Sequence, residues 1–471
     1  MSTEWWRVGA LELAEMIARR EVSSREVIDA HLARIDEVNP QLNAIVRRLD
    51  DEARAAAEAA DRAVAAGEPL GPFHGVPITV KENIDLAGTP TTQSLAAFAD
   101  AIAPVDAPVV ERMRAAGAIP IGRTNLPDLG LRVFTESSLH GITDNPWMSG
   151  RTAGGSSGGE GAALASGMSP LGLGNDIGGS LRNPAHCCGI AAIKPSTGVV
   201  PSATVIPPED VSIMSQLMVV EGVMARHVAD VRAGLQVVAG PHVRDPRALP
   251  VVLSDLEPGR RLRVAVEPEP PGGSTHPGVA AAVRRAADAL ADAGAEVVEV
   301  APDTYAESID LWARLLVEEV RSQAPLIEMV MGADGYRFLT YAMELYGPAT
   351  TAQLTELHAA RNRVEKQWHL FLTDHDVFLS PVWTQPALPH GFDIASVENA
   401  TSMLEVLRPV VPLNLLGLPG AVVPVGFADG LPVGAQVAAR RFSDLAALSV
   451  AQLIVDVLGD TAPVTPIDPR R

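Results

Sequence analysis

Apolar and polar positions alternate along the chain in a changing rhythm. Residues 8–66 carry helical spacing throughout. Ser23, with Glu26 three residues on, forms a capping box that opens a helix running to about Glu37. Asp50 to Ala66 is Ala-rich and charged, the composition of an exposed helix. A Gly/Pro linker from Gly67 to Gly75 leads into Val76-Pro77-Ile78-Thr79-Val80, a short buried strand ending at Lys81. Pro108 to Gly117 reads as helix and Ala118 to Ile121 as strand. Beyond a Gly-rich centre, Asn145 to Asp176, strands at Arg261–Val266 and Ala295–Val300 flank a helix at Val279–Ala291, which implies parallel pairing through a crossover helix. Residues 303–372 are mostly helical and carry Tyr305, Trp312, Met329, Met331, Tyr336, Phe338 and Tyr341. Strands are predicted at Asp376–Leu379, Ala421–Gly426 and Pro432–Ala438, and a closing helix at Asp444–Leu458. With no internal repeat and no clear domain linker, the pattern predicts an α/β fold. One large domain would hold a mixed central β-sheet sandwiched by α-helices, with residues 1–68 packed as a helical segment on the body at 69–471.

Composition narrows the function classes. The 471 residues are 47% hydrophobic and 20% charged, which suits a globular protein with a large core. The net charge of −20 repels phosphate backbones and anionic headgroups, so neither nucleic acid nor a membrane surface is an expected partner. Met1 to Ala10 has no charged start followed by an apolar run, and no stretch reaches the length of a membrane span. Cys187 and Cys188 are adjacent and cannot build a disulfide framework. Together these features lead us to expect a cytoplasmic protein.

The candidate chemistry lies in two Gly/Ser clusters, Gly154-Gly155-Ser156-Ser157-Gly158-Gly159 and Gly174-Asn175-Asp176-Ile177-Gly178-Gly179-Ser180. Dense glycine lets the backbone approach a ligand and point successive N–H groups into one concavity, as an oxyanion requires. A phosphate loop would end in Gly-Lys-Ser/Thr, and no lysine lies near either cluster. Gly154 to Gly158 matches G-x-S-x-G, with Ser156 as nucleophile, but the preceding Ser149-Gly150-Arg151-Thr152-Ala153 is not the hydrophobic strand that motif needs. The second cluster has the better context. Pro170 to Gly174 reads as a buried strand and Leu181 onward as a helix start, which puts Ser180 at a strand-to-helix bend.

A serine hydroxyl needs a base. His74, His140 and His186 sit in turn-like segments without orienting neighbours and read as structural or surface residues. The chain has three lysines among its 37 basic residues: Lys81, Lys194 and Lys366. Arginine keeps its proton, whereas a buried lysine loses it readily. Lys81 follows an apolar strand, the setting for such a shift, although an ordinary surface lysine fits the same position. Lys366 lies on a polar helix.

The run from Arg151 through Gly155-Ser156-Ser157-Gly158-Gly159 to Asp176-Ile177-Gly178-Gly179-Ser180-Leu181-Arg182-Asn183-Pro184-Ala185 closely resembles the amidase signature family. Further similarity lies at Gly75 to Asn83, Gly122 to Asn125, Cys188-Gly189 with Lys194-Pro195, Asn414 to Pro419, and Pro424 to Gly426. The likeness extends from about residue 10 to residue 458. It implies the fold of that family and a Ser–Ser–Lys triad. In that triad Ser180 is the nucleophile, Ser156 the bridging serine on a cis peptide bond and Lys81 the base. The amides of Ile177, Gly178, Gly179 and Ser180 would form the oxyanion hole. Ser157 would support the site by hydrogen bonding, and Asp176 with Arg182 would be a charge pair holding the Ser180 loop. No metal and no cofactor are implied, and a homodimer is compatible with the family.

The resemblance implies hydrolysis of the C–N bond of a small amide, with esters and carbamates (urethanes) open to the same triad. The aromatic and Met content of 303–346 suggests an apolar pocket for aryl or alkyl groups, although helix core would explain the same residues. Two alternatives stand beside this reading. One is the glutaminase (A) subunit of a tRNA-dependent amidotransferase, whose Asp-Pro-Leu…Met-Tyr stretch is replaced here by Ala400-Thr401-Ser402-Met403-Leu404 within Val397–Leu413. The other is a binding protein that keeps the fold without catalysis. The chain departs from the family at Asn175, where many relatives have Thr or Ser, at Ser94, where Gly is common, and at Cys187, for which two readings stand, facing the pocket or, the favoured one, packing as a small apolar group.

Overall fold

The computed structural model describes residues 4–206 and 211–459. Its strands, in chain order, are β1 (Ile45–Arg48), β2 (Pro77–Lys81), β3 (Ile119–Thr124), β4 (Glu136–Ser137), β5 (Gly141–Ile142), β6 (Leu171–Asp176), β7 (Ala191–Lys194), β8 (Val220–Ala225), β9 (Arg263–Val266), β10 (Glu296–Glu299), β11 (Val377–Pro381), β12 (Gly420–Ala428) and β13 (Leu431–Ala439). Strands β4 and β5 form a small hairpin. The other eleven make one sheet in the order β1-β3-β2-β6-β8-β7-β12-β13-β11-β9-β10. The sheet is mixed: β3-β2-β6 and β11-β9-β10 run parallel, while β8, β7, β12 and β13 pair antiparallel. Helices cover it, and its central strands β2, β7, β8, β11 and β13 are buried along their whole length. This is the α/β architecture expected. Among the described residues no helix is long and apolar enough to cross a membrane.

The capping box at Ser23 and Glu26 is present, and the closing helix spans Asp444–Leu458. The helix from Ser24 runs to Leu42, through Pro40, further than expected. It stops where Asn43 turns left-handed (φ 51°) and Asn39 Oδ1 accepts the amides of Ala44 and Ile45. Strand β1 follows, so residues 8–66 are not continuous helix. The helix Asp50–Ala66 is not wholly exposed either, because Ala53, Ala57, Ala60 and Val64 form a buried stripe. Strands β7 and β8 had no clear signal. The first is four residues rich in Ala, a poor strand former, and in the second Glu221 and Gly222 interrupt the apolar run.

The topology assembles the site. Strands β2 and β6 are adjacent and parallel, pairing Ile78 with Leu171 and Val80 with Leu173, so both end at the same edge of the sheet. Lys81 closes β2 and Asp176 closes β6. Beyond Asp176 the chain bends through residues 177–181 into the short helix Arg182–Cys188. Ligand sites in open α/β sheets form at such carboxyl ends.

Candidate active site

Lys81 is fully buried, and its Nζ donates to Ser156 Oγ at 2.8 Å and to Asn175 Oδ1 at 2.6 Å. Burial drives its pKa down from the usual lysine range to about 7, against the opposing pull of the Asp176, Glu160 and Glu221 carboxylates. At that value about half of the amine is neutral at pH 7 and most of it a unit higher. A neutral amine keeps two N–H groups and one lone pair, so an N–H can serve Asn175 while the lone pair faces Ser156. Asn175, noted only as a departure from the family pattern, is thus in direct contact with Lys81. Its amide in turn donates to Asn83 Oδ1 at 3.0 Å.

The Gly155–Ser156 peptide bond is cis. Gly154 and Gly155 leave no room for side chains: a Cβ at 155 would stand 2.6 Å from the Val133 carbonyl carbon, and one at 154 would stand 2.9 Å from the backbone of Asn183. Ser157 N donates to the Ser180 carbonyl at 3.1 Å, and Ser157 Oγ reaches the Asn175 carbonyl at 3.5 Å, so Ser157 ties the two glycine clusters together. The Ser156 and Ser180 hydroxyls are not hydrogen-bonded to each other. Ser180 is 4% exposed and lines a pocket.

Asp176 and Arg182 form the expected pair, both buried, with Arg182 Nε 3.1 Å from Oδ2 and Nη2 3.0 Å from Oδ1. Burial pushes Asp176 up, but the Arg182 guanidinium, Lys194 and the Asn414 amide outweigh it and hold the carboxyl well below the usual carboxylate range. Arg182 also donates to the Val410 carbonyl, Gln436 and Asn414. Asp176 therefore stays ionised and accepts the Gly179 amide (2.7 Å) and the Leu181 amide (3.1 Å), which fixes the bend. Replacing Arg182 by Met strands this buried carboxylate. The expected loss is about 3–5 kcal/mol of stability, checked by urea unfolding of the two proteins.

Of the four amides expected to face an oxyanion, Gly179 is thus committed to Asp176. Those of Ile177, Gly178 and Ser180 donate to no acceptor in the described protein. The carbonyl on the other side of each of those three peptide groups is held. The Asp176 carbonyl accepts from Asn414 Nδ2 (3.3 Å), that of Ile177 from Trp312 Nε1 (3.0 Å) and that of Gly179 from Asn183 N (2.6 Å). Donors fixed in this way can stabilise developing negative charge without reorganising.

The pocket beside Ser180 is apolar. Trp312, Ala313, Leu316, Val317 and Val320 line it from the helix Tyr305–Val330, and Phe338, Leu339, Ala342 and Met343 line it from the helix Ala333–Leu345, both at one-face helical spacing. The space amounts to about 710 Å³, mouth included. Arg132 sits on the wall, but its guanidinium is bidentate to Asp393 (2.6 Å to each oxygen) and bonded to Glu136 (2.7 Å).

The other sequence candidates fall outside the site. His74 contacts the Ala60 carbonyl, His140 contacts Glu82, and His186 is buried between the Gln385 carbonyl and the Gly434 amide. Cys187 is buried in the core and does not line the pocket. Tyr305 stacks edge-on against Trp368 and Phe378, and Met329 is exposed, so only part of the aromatic and Met content builds the pocket. Sequence reading missed Glu160, whose carboxylate is buried beside Thr79 and Thr124 and pushed by burial up to about 7. An isolated acid in an Ala/Gly helix gives no sign of this.

Residues 26–448 match the family model Amidase. Indoleacetamide hydrolase of Bradyrhizobium diazoefficiens is 39% identical over 456 residues, 96% of this chain and 87% of that protein. A glutamyl-tRNA(Gln) amidotransferase component of Salinispora arenicola is 32% identical, over 98% and 99% of the two chains. The crystal structure of a bacterial aryl acylamidase belonging to the amidase signature enzymes superposes with TM-score 0.83 at 26% identity, covering 98% of this chain and 96% of that one. The chain is an amidohydrolase acting on C–N bonds. It belongs to the amidase signature family.

Proposed function

We propose that the protein hydrolyses small amides whose acyl group is aryl or alkyl, through an acyl intermediate on Ser180. The observation that carries this reading is the apolar chamber opening directly beside Ser180 and the unpaired amides of Ile177, Gly178 and Ser180. Neutral Lys81 accepts the Ser156 proton and Ser156 accepts that of Ser180. Ser180 Oγ attacks the substrate carbonyl, and the three amides take the oxyanion. The C–N bond breaks as Ser156 returns a proton to the leaving nitrogen and Lys81 reprotonates Ser156. Water then repeats the proton transfers, cleaves the acyl–Ser180 ester and releases the carboxylic acid. Esters and carbamates present the same carbonyl geometry and fall within reach.

Glutamine is a poor fit, because its α-carboxylate would need a cation and Arg132 is already matched by Asp393 and Glu136. The test is a hydrolysis panel of phenylacetamide, indole-3-acetamide, acetamide, an acetanilide, glutamine and an aryl carbamate. We expect kcat/KM for the arylacetamides to exceed that for acetamide by about 100-fold, the yield of burying an aryl group. A preference for glutamine would overturn the reading in favour of an amidotransferase component.

A further inference from the structure

We propose that Trp312 is a positioning residue for the oxyanion-holding loop, so that the wall of the acyl chamber and the aim of an oxyanion donor are one side chain. The proposal rests on Ser180 being the nucleophile. Trp312 is buried on the chamber wall, and its Nε1 donates to the Ile177 carbonyl at 3.0 Å. Its ring lies so close to Gly178 that a Cβ there would stand 2.5 Å from Cζ2, so position 178 admits only glycine while the indole is in place.

A peptide group is planar, and in the trans form its C=O and N–H point in opposite directions. Holding the Ile177 carbonyl on the indole therefore aims the Gly178 N–H the other way, and that N–H has no acceptor in the described protein. The neighbouring carbonyls of Asp176 and Gly179 are held by Asn414 and by the Asn183 backbone amide. Neither of those partners lines the chamber. Trp312 alone of the three links the two, so an acyl group seated against the indole bears on the ring that aims a donor at its own carbonyl. Poorly seated acyl groups should therefore lose rate as well as affinity.

The test is the rate at which an alkyl fluorophosphonate labels Ser180, a step that forms an Oγ–P bond, expels fluoride and uses the same oxyanion donors. Three proteins are compared: wild type, Trp312→Phe, and a protein carrying 3-benzothienylalanine at 312, which keeps the bicyclic ring and replaces N–H by sulfur. We expect the maximal labelling rate to fall about tenfold in both variants, with half-saturation changed less than about twofold in the benzothienylalanine protein, whose wall is kept, as loss of one aiming hydrogen bond predicts. A benzothienylalanine protein that labels Ser180 as fast as wild type overturns the proposal, whatever the fate of Trp312→Phe. Wild-type protein that takes no label on Ser180 overturns instead the reading on which the proposal rests.

Discussion

Ser180→Ala is expected to lower kcat/KM for the best amide by a factor on the order of 10⁵–10⁶, because nucleophile and proton relay act as one unit and fail together. The residual rate would come from the oxyanion donors and substrate binding alone. Folding should be intact, since the bend at 177–181 is held by Asp176, Arg182 and Asn183 and not by the Ser180 hydroxyl. Steady-state kinetics, with unfolding as control, checks the first point. Intact-protein mass after rapid quench checks the chemistry, with an acyl adduct expected on the peptide carrying Ser180. An adduct on Ser156 would restore the G-x-S-x-G elbow and reduce Ser180 to a supporting role. That outcome would also be hard to reconcile with the backbone, because the chain before Ser156 is loop and the strand-to-helix bend is the one that carries Ser180.

Much of this site was legible because it is local. Glycine runs must bend, and a strand followed by a helix start must present the residue between them. The residues that complete the site come from far along the chain and leave no such trace. Asn414 reaches Asp176 across 238 positions, Trp383 steadies Asn183 across 200, and Trp312 meets Ile177 across 135. In the sequence Trp312 is one aromatic among several on a helix where Tyr305 faces the core and Met329 faces solvent. Helical spacing selects a face but not what the face packs against. The sheet order is hidden for the same reason. Strand β8 pairs with β6 and β7 across the bend, and its Glu221 lies opposite Asn175 only because of that register. Lys81 stood out by rarity, since arginine supplies almost every other cation.

The second large effect concerns the pH dependence. Lys81 must be neutral to accept a proton, and burial lowers its pKa to about 7. With a depressed lysine the neutral form grows as pH rises, so kcat/KM should climb about tenfold per unit below pH 7 and level off above it. A carboxylic acid required in its protonated form would give the opposite slope, which matters because buried Glu160 and Glu221 also titrate near this range, at about 7 and about 8. Lys194 complicates the assignment further: it too is buried and lowered to about 7, but it donates to the Pro195 carbonyl and touches neither serine. The variants separate the two lysines. Lys81→Met should cost about 10³–10⁴-fold, the contribution of a positioned general base, and flatten the profile between pH 6 and 8. Lys194→Met should leave the rising limb in place. Full pH profiles of kcat/KM for the three proteins decide the matter, and a limb that survives in Lys81→Met would remove this lysine from the relay.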